Sequence, residues 1–328
     1  MTPNLPRLSV VVPLYKEEDN IERLVDELED ALEHYPGEFE LVLVDDGSTD
    51  QTRDRLLEAR AERGEHLVIL SHRRNLGQTQ AMQTGLLAAR GEVIAFMDGD
   101  LQNDPADLPA MVKKLEDEQL DLLCGWRKNR QDSLDRTLPS RIANWLIGRV
   151  SGVALHDYGC SLKVGRREVL EGLDLRGEMH RFIPLWVANL THPSRIAEIP
   201  VNHRARVAGD SKYGISRTPR VILDLLAAWF FLRFRERPGH FFGVAGLITG
   251  GLGGLALLYL FALKLVGFDI GNRPLLITGV LLALVGLQLI TTGLVAEMLT
   301  RLRPHREPPL TQHTDAVSWA KGSDEHLH

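Results

Sequence analysis

The first part of the chain alternates short apolar runs with amphipathic stretches. Four continuous apolar runs have the length of buried strands, at residues 9–14, 39–44, 66–70 and 93–97. Three stretches that separate them carry apolar residues at helical spacing, at residues 20–34, 51–63 and 78–89. Strands that alternate with helices predict a mainly parallel, doubly wound α/β sheet.

The pattern weakens after this region. Residues 107–118 predict another helix and residues 121–125 a short strand, whereas residues 127–158 are helical in pattern but interrupted. Residues 218–234 form an amphipathic segment with basic ends. This segment is expected either to lie in a membrane interface or to pack on the soluble core.

Two uncharged apolar segments follow, at residues 241–263 and 274–296, and only ten residues join them. At about 1.5 Å per residue, either helix could cross a hydrocarbon core about 30 Å thick. The alternative, two buried helices of a soluble core, is disfavoured because uncharged runs of this length are rare in soluble domains. The segments therefore predict a membrane hairpin.

Composition divides the 328 residues into four predicted parts. They are a cytoplasmic α/β domain (1–216), a juxtamembrane amphipathic helix (217–240), the hairpin (241–296) and a disordered tail (297–328).

Cations set the expected orientation of the hairpin. The connecting loop has only Lys264 and Arg273, whereas arginines cluster outside both spans, at Arg233, Arg235, Arg237, Arg301, Arg303 and Arg306. The positive-inside bias then predicts a multi-pass membrane protein with both termini cytoplasmic and the connecting loop outside.

Net charge and cysteine content narrow the class of protein and its expected compartment. The formal net charge is −6 without a long basic run, which argues against nucleic-acid binding. Cys124 and Cys160 lack metal-ligand spacing and fit a reduced cytosolic domain. The polar start of the chain predicts no signal peptide. The sequence does not decide between a monomer and a homo-oligomer.

An acidic turn follows the fourth apolar run. Asp98 and Asp100 are two residues apart at the expected carboxyl end of a buried strand, where α/β proteins place their ligands. Both carboxylates could approach one Mg²⁺ or Mn²⁺ bound to phosphate oxygens, and Gln102 adds a neutral oxygen. The alternative is an ordinary surface turn.

A second acidic turn, Asp45-Asp46-Gly47, ends the second apolar run. A carboxylate there could accept hydrogen bonds from a base imide or a ribose hydroxyl. The alternative is an Asx turn that caps the next helix, and both roles can hold together.

Four motifs in order resemble the inverting family 2 glycosyltransferases with the GT-A fold, at residues 11–18, 44–50, 74–78 and 96–102. The resemblance continues through residues 157–160 and 209–214 and into the two spans. This fuller pattern is similar to the polyprenyl-phosphate glycosyltransferases, the group of dolichol-phosphate mannose synthase, GtrB-type glucosyltransferases and undecaprenyl-phosphate formamido-arabinose transferase.

The resemblance implies a role for each matching residue. Those expected to line the nucleoside pocket are Pro13, Tyr15, Glu17 and Asp46. Those expected to hold the divalent cation and the diphosphate are Asp98, Asp100 and Gln102. Those expected to hold the lipid phosphate are Arg127, Arg136 and Ser140, and Arg206 and Lys212 would contact donor or acceptor phosphates from the other side. The residues taken as catalytic are Asp98, Asp100, Arg127 and Arg136.

Two stretches depart from the family pattern. Lys16 stands where an asparagine is common, and residues 163–166 differ from the arginine-rich version of the formamido-arabinose enzymes. The arginines also make chemical sense by themselves, because a planar guanidinium can hold a phosphate dianion with two hydrogen bonds. Attraction to anionic membrane lipids is the alternative for them.

The resemblance implies inverting transfer of a hexose from a nucleoside-diphosphate sugar, here a UDP-sugar, to undecaprenyl phosphate at the cytoplasmic face of the bacterial inner membrane. The product would serve glycan or lipid A modification. A processive polysaccharide synthase is disfavoured, because the chain has no Arg-Trp pair and only one hairpin. A non-catalytic scaffold is disfavoured by the retained Asp98, Asp100 and Gln102.

Overall fold

The computed structural model describes two compact units of the chain. Its described residues are 5–128, 148, 152–175, 177, 179–204, 230, 234, 237–271 and 273–301. The first unit holds the described residues up to 204, and the second holds those from 230 onward.

A seven-stranded sheet forms the centre of the first unit, in the order β3-β2-β1-β4-β6-β5-β7. Its strands are β1 (Leu8–Leu14), β2 (Phe39–Asp45), β3 (Leu67–Ser71), β4 (Val93–Phe96), β5 (Leu122–Trp126), β6 (Lys163–Arg166) and β7 (Ile196–Pro200). Strands β1 to β4 are mutually parallel, as the alternation of apolar runs and helices predicted. The side chains of β1, β2 and β4 are nearly all buried because helices cover both faces of a sheet built this way, whereas only Leu67 is buried in the edge strand β3.

Strand β6 is the exception to the parallel arrangement. It runs antiparallel between β4 and β5, whereas β7 is parallel to β5. Its sequence, Lys-Val-Gly-Arg, has a single β-branched residue and no apolar run. Pairing on both sides, rather than its own propensity, therefore makes it a strand.

Eight α-helices are described. They are α1 (Ile21–Leu32), α2 (Thr52–Arg63), α3 (Gln78–Ala88), α4 (Leu108–Asp117), α5 (Arg167–Leu170), α6 (Ile183–Val187), α7 (Pro238–Leu265) and α8 (Pro274–Arg301). The predicted helices and strands of the first 125 residues agree with the observed ones to within about two residues at each end. The helical pattern expected up to residue 158 is wrong for residues 152–158, which run as an irregular loop from Gly152, where φ is +72°.

Helices α7 and α8 make up most of the second unit. Each has 28 residues, and their apolar side chains are mostly exposed. Both are long and apolar enough to cross a membrane, with mean hydropathies of 1.9 and 2.2 over their most apolar stretches.

Glycines let these two helices approach backbone to backbone. A Cβ added at Gly286 would lie 2.4 Å from the backbone nitrogen of Gly250, and one at Gly253 would lie 2.5 Å from that of Ala283. At one end of the pair, Glu297 Oε2 of α8 accepts a hydrogen bond of 3.2 Å from the Gly239 backbone of α7. Small residues at the contact are the usual means of close helix packing in membranes.

Candidate active site

The candidate site lies at the carboxyl edge of the sheet, where β1 has β2 on one side and β4 on the other. In a parallel sheet this reversal of strand order opens a crevice beyond the strand ends. Asp46 follows β2, and its backbone nitrogen donates to the Leu14 carbonyl at 2.8 Å. Asp98 and Asp100 follow β4 at the same edge.

The Asp98 turn is held by side chains that the structure brings from other elements. Gln78 Nε2, at the start of α3, donates to Asp98 Oδ1 at 2.5 Å. Burial of the carboxyl group, and then the neighbouring Asp100, raise the pKa of Asp98 to about 6. A hydrogen bond with Ser161 and the positive charge of Lys163 act in the opposite direction.

The turn also contains a residue in an unusual backbone conformation. Leu101 has a φ of +60°, in the left-handed region that non-glycine residues rarely adopt. Its side chain is 2% exposed, so core packing holds the strained backbone. The next residue, Gln102, donates from its backbone nitrogen to Asp100 Oδ1 at 3.2 Å.

These residues fit a divalent cation that is shared with a substrate. The described residues contain no group of three or more His, Cys, Asp and Glu that could hold a metal ion. Asp98, Asp100 and Gln102 offer hard oxygen atoms from one turn, which leaves other coordination positions for phosphate oxygens and water. Mg²⁺ is commonly held in this way, by one or two carboxylates together with substrate phosphates.

The second acidic turn forms the Asx-type turn that was one of the two roles considered for it, and the nucleoside-binding role of Asp46 stays a prediction. Asp45 Oδ1 accepts from the Ser48 backbone nitrogen at 3.0 Å, and Asp50 Oδ1 accepts from that of Thr52 at 3.2 Å near the start of α2. These contacts form the Asx-type turn. Asp46 instead accepts hydrogen bonds from the loop after β3. Asp45 therefore stabilises its own turn, whereas Asp46 stabilises the neighbouring loop.

Glycine is required in this turn. Gly47 has a φ of +67°, and a Cβ there would lie 2.3 Å from the carbonyl carbon of Arg74. The turn after β2 and the loop after β3 are thus in direct backbone contact.

The first motif packs on the same turn. The backbone nitrogens of Lys16 and Glu17 donate to the hydroxyls of Ser48 and Thr52, both at 2.9 Å. Lys16 has a φ of +56°, a conformation that asparagine tolerates better than lysine, which gives a physical reason for the asparagine common at this position in the family. Pro13 lies on β1, and Tyr15 follows its end.

Arg127 is placed just after β5 by an ion pair that the sequence analysis did not anticipate. Its Nε and Nη2 donate to the two carboxylate oxygens of Asp157 at 2.7 and 3.0 Å. Burial opposes ionisation of Asp157, but the hydrogen bonds and charge of Arg127 outweigh it and hold the pKa of that carboxyl below its usual range. This pair uses two of the five N–H bonds of the guanidinium and leaves three for other contacts.

The loop that carries Asp157 also reaches the acidic turn. Ser161 Oγ accepts from Asn103 Nδ2 at 2.7 Å. Lys163, which is 2% exposed, donates from its ammonium group to the Cys160 carbonyl. Gln78 and Asp157 stand in motifs that pointed to this region, and Lys163 begins the stretch noted for its departure from the family pattern. Asn103 and Ser161 carried no recognisable signal.

Four of the predicted site residues, Arg136, Ser140, Arg206 and Lys212, lie outside the described residues. Their roles stay predictions. The structure brings Asp46, Asp98, Asp100 and the first motif to one edge of the sheet.

The sequence matches glycosyl transferase family 2 over residues 9–173, and the chain belongs to this family. It is 55% identical over 296 residues to dodecaprenyl-phosphate galacturonate synthase of Rhizobium johnstonii, a match that covers 90% of this chain and 88% of the relative. It is 34% identical over 307 residues to undecaprenyl-phosphate 4-deoxy-4-formamido-L-arabinose transferase of Klebsiella pneumoniae, covering 92% and 90% of the two chains.

A solved structure is similar in fold. Glucosyl-3-phosphoglycerate synthase of Mycobacterium tuberculosis, in complex with Mn²⁺, UDP and glucosyl-3-phosphoglycerate, matches with a TM-score of 0.55 at 22% identity, over 68% of this chain and 80% of the other. The predicted GT-A fold and the predicted membership of a glycosyltransferase family are confirmed. The chain is a glycosyltransferase with two candidate membrane spans, and its relatives are polyprenyl-phosphate sugar transferases.

Proposed function

We propose that this chain transfers a galacturonosyl group from a nucleoside-diphosphate sugar to a polyprenyl phosphate at the cytoplasmic face of the bacterial inner membrane. The observation that carries the proposal is that the Asp46 and Asp98 turns lie at the same edge of the sheet, on a chain with two long apolar helices. The galacturonosyl group is the part of the proposal taken from the 55% identical relative. A UDP-sugar remains the proposed donor.

The donor would bind across the crevice between the two acidic turns. Asp46 and the first motif would face the nucleoside, and the Asp98 turn would face the diphosphate. A divalent cation, when bound, would neutralise charge on the departing nucleoside diphosphate. Gln78 and Ser161 orient the Asp98 carboxylate for this contact through the hydrogen bonds that they make with it.

Arg127 would hold the acceptor phosphate. The ion pair with Asp157 fixes the plane of the guanidinium, so its remaining N–H groups have a defined direction. The acceptor oxygen needs no protein base, because a phosphate monoester with a second pKa of about 6 is largely ionised near neutral pH. Attack by this oxygen in line with the leaving diphosphate would invert the anomeric configuration, with positioning and charge stabilisation supplying most of the catalysis.

The proposal is tested by mass spectrometry of lipid products formed by the purified full chain. The enzyme is incubated with Mn²⁺, a polyprenyl phosphate and, in turn, UDP-galacturonic acid, UDP-glucuronic acid, UDP-galactose or UDP-glucose. A polyprenyl-phosphate galacturonate formed fastest from UDP-galacturonic acid supports the proposal. A neutral hexose transferred faster would overturn the sugar assignment, and no lipid-linked product from any donor would favour the scaffold alternative.

A further inference from the structure

The carboxylate of Asp46 accepts the hydrogen bonds that hold the loop after β3. Its Oδ1 accepts from the backbone nitrogen of Leu76 at 2.9 Å, and its Oδ2 accepts from that of Gly77 at 2.8 Å. His72 Nδ1 lies 2.7 Å from the same Oδ1. The Asp46 side chain is only 4% exposed, so these are contacts of a nearly buried charge.

The ring of His72 links this carboxylate to α3. Its second nitrogen, Nε2, lies 2.9 Å from the hydroxyl of Thr84. An ionised carboxylate can only accept, so Nδ1 carries the proton that points at Asp46. In the neutral ring, Nε2 then accepts the hydroxyl proton of Thr84, and both ring nitrogens are used.

The loop held in this way borders the candidate nucleoside pocket. Its ends are fixed by His72 and by the backbone of Leu76 and Gly77, while the side chains of Arg73, Arg74 and Asn75 are exposed. The backbone of Arg74 rests on Gly47, immediately after Asp46. Without the His72 side chain, the Asp46 carboxylate would be held only by the backbone nitrogens of Leu76 and Gly77, within the loop that it is meant to fix.

We propose that His72 is a positioning residue for the nucleoside pocket, which holds the Asp46 carboxylate and the loop of residues 72–77 in their binding arrangement before the donor arrives. This inference rests on the proposed function, because it takes the pocket beside Asp46 to be the nucleoside pocket. Preorganisation of this kind lowers the ordering cost of binding. Loss of His72 should therefore weaken donor binding without changing the response to the lipid acceptor.

Three variants of the full chain test the proposal. His72→Phe keeps a ring of similar shape and removes both hydrogen bonds. His72→Asn keeps a donor close to the position of Nδ1 and should recover part of the function. Thr84→Val removes only the contact to α3, and serves as a milder variant should His72→Phe fail to fold.

His66→Phe is the matched control. His66 is also a partly buried histidine bonded to a carboxylate, with Nε2 2.8 Å from Glu29 Oε1, but it precedes β3 at the opposite end of the strand. If His72 only stabilises the fold, the His66 and His72 variants should lose UDP affinity alike. If His72 positions the nucleoside pocket, only the His72 variants should lose UDP affinity.

Three measurements are made on each variant. They are UDP affinity by calorimetry, the rate of limited tryptic cleavage after Arg73 and Arg74, and the KM for polyprenyl phosphate. For His72→Phe we expect UDP affinity to fall about ten- to a hundredfold, as for loss of one charge-assisted hydrogen bond. We also expect faster cleavage in the loop, with the KM for polyprenyl phosphate unchanged. His72→Asn should lie between this variant and the wild type.

Wild-type UDP affinity and wild-type cleavage in His72→Phe, or in Thr84→Val where the first variant does not fold, would overturn the proposal. Equal losses of UDP affinity in the His66 and His72 variants would overturn it as well. Failure of the wild-type chain to bind UDP would instead refute the proposed donor. The cleavage assay would still decide whether His72 holds the loop.

Discussion

Replacing Gly47 by alanine should damage the nucleoside pocket through a backbone clash. The added Cβ would lie 2.3 Å from the carbonyl carbon of Arg74 and 2.6 Å from its Cα. Both atoms belong to the backbone, so no change of rotamer can relieve the contact. The φ of +67° at Gly47 adds strain for any residue with a Cβ.

The size of the effect follows from these distances. Carbon atoms in contact prefer about 3.5–4.0 Å, so the loop would have to retreat by about 1 Å. A retreat of this size would break the 2.9 Å hydrogen bond from Leu76 to Asp46. Loss of one such bond, at about 1.5–3 kcal/mol, and left-handed strain of about 1–2 kcal/mol together predict a cost of about 2.5–5 kcal/mol.

Calorimetric binding of UDP and thermal unfolding of the purified variant measure this cost. We expect UDP affinity to fall at least about tenfold, together with a lower unfolding temperature. Gly64→Ala is the matched control, because Gly64 has a φ of +114° at the end of α2 but its Cβ would meet only His66 Nδ1, at 3.7 Å. The control should lose stability and keep UDP affinity. Unchanged UDP affinity in a folded Gly47→Ala variant would refute the reasoning.

The remaining predictions concern the cation, the lipid phosphate, the topology and the first motif. Asp100→Asn should leave the fold intact but remove most turnover, since an amide cannot supply the missing charge; full activity of the wild type in excess chelator would contradict this. Arg136→Ala should raise the KM for polyprenyl phosphate or lower kcat about ten- to a hundredfold with UDP binding retained, and lost UDP binding with unchanged lipid kinetics would move Arg136 to the donor site. A cysteine at Gly271 should react with an impermeant thiol reagent in intact cells, and labelling only after lysis would reverse the predicted topology. Lys16→Asn should stabilise the protein by about 0.5–1 kcal/mol in denaturant unfolding, because asparagine tolerates its φ of +56° better; a destabilised variant would show that the Lys16 side chain contributes more than its backbone strain costs.

Periodicity was sufficient to predict the parallel half of the sheet, because buried strands and amphipathic helices leave strong patterns there. Strand β6 was missed, since its pairing partners and not its residues make it extended. The order of the strands in the sheet likewise could not be predicted from any local sequence pattern.

The residues of the candidate site were likewise predictable only in part. Asp46, Asp98 and Asp100 lie in turns that directly follow apolar strands, so their positions could be predicted. His72 and Ser161 could not be recognised, because their importance comes from contacts with residues 26 and about 60 positions away in the sequence. Asp157 stood in a quoted motif, but its pairing with Arg127 depends on the loop that returns the chain to the end of β5.

The glycine contacts between α7 and α8 bear on how the proposed polyprenyl acceptor could lie beside these helices. The backbones meet at Gly250 and Gly286 and again at Gly253 and Ala283, so along this stretch no space is left between the two helices for an isoprenoid chain. Any polyprenyl tail that meets this pair must then lie along its outer surface, among neighbouring lipids. An open surface of this kind cannot discriminate between tails by their number of isoprene units. The described hairpin should therefore accept tails of different lengths, and discrimination among acceptors should depend mainly on the phosphate.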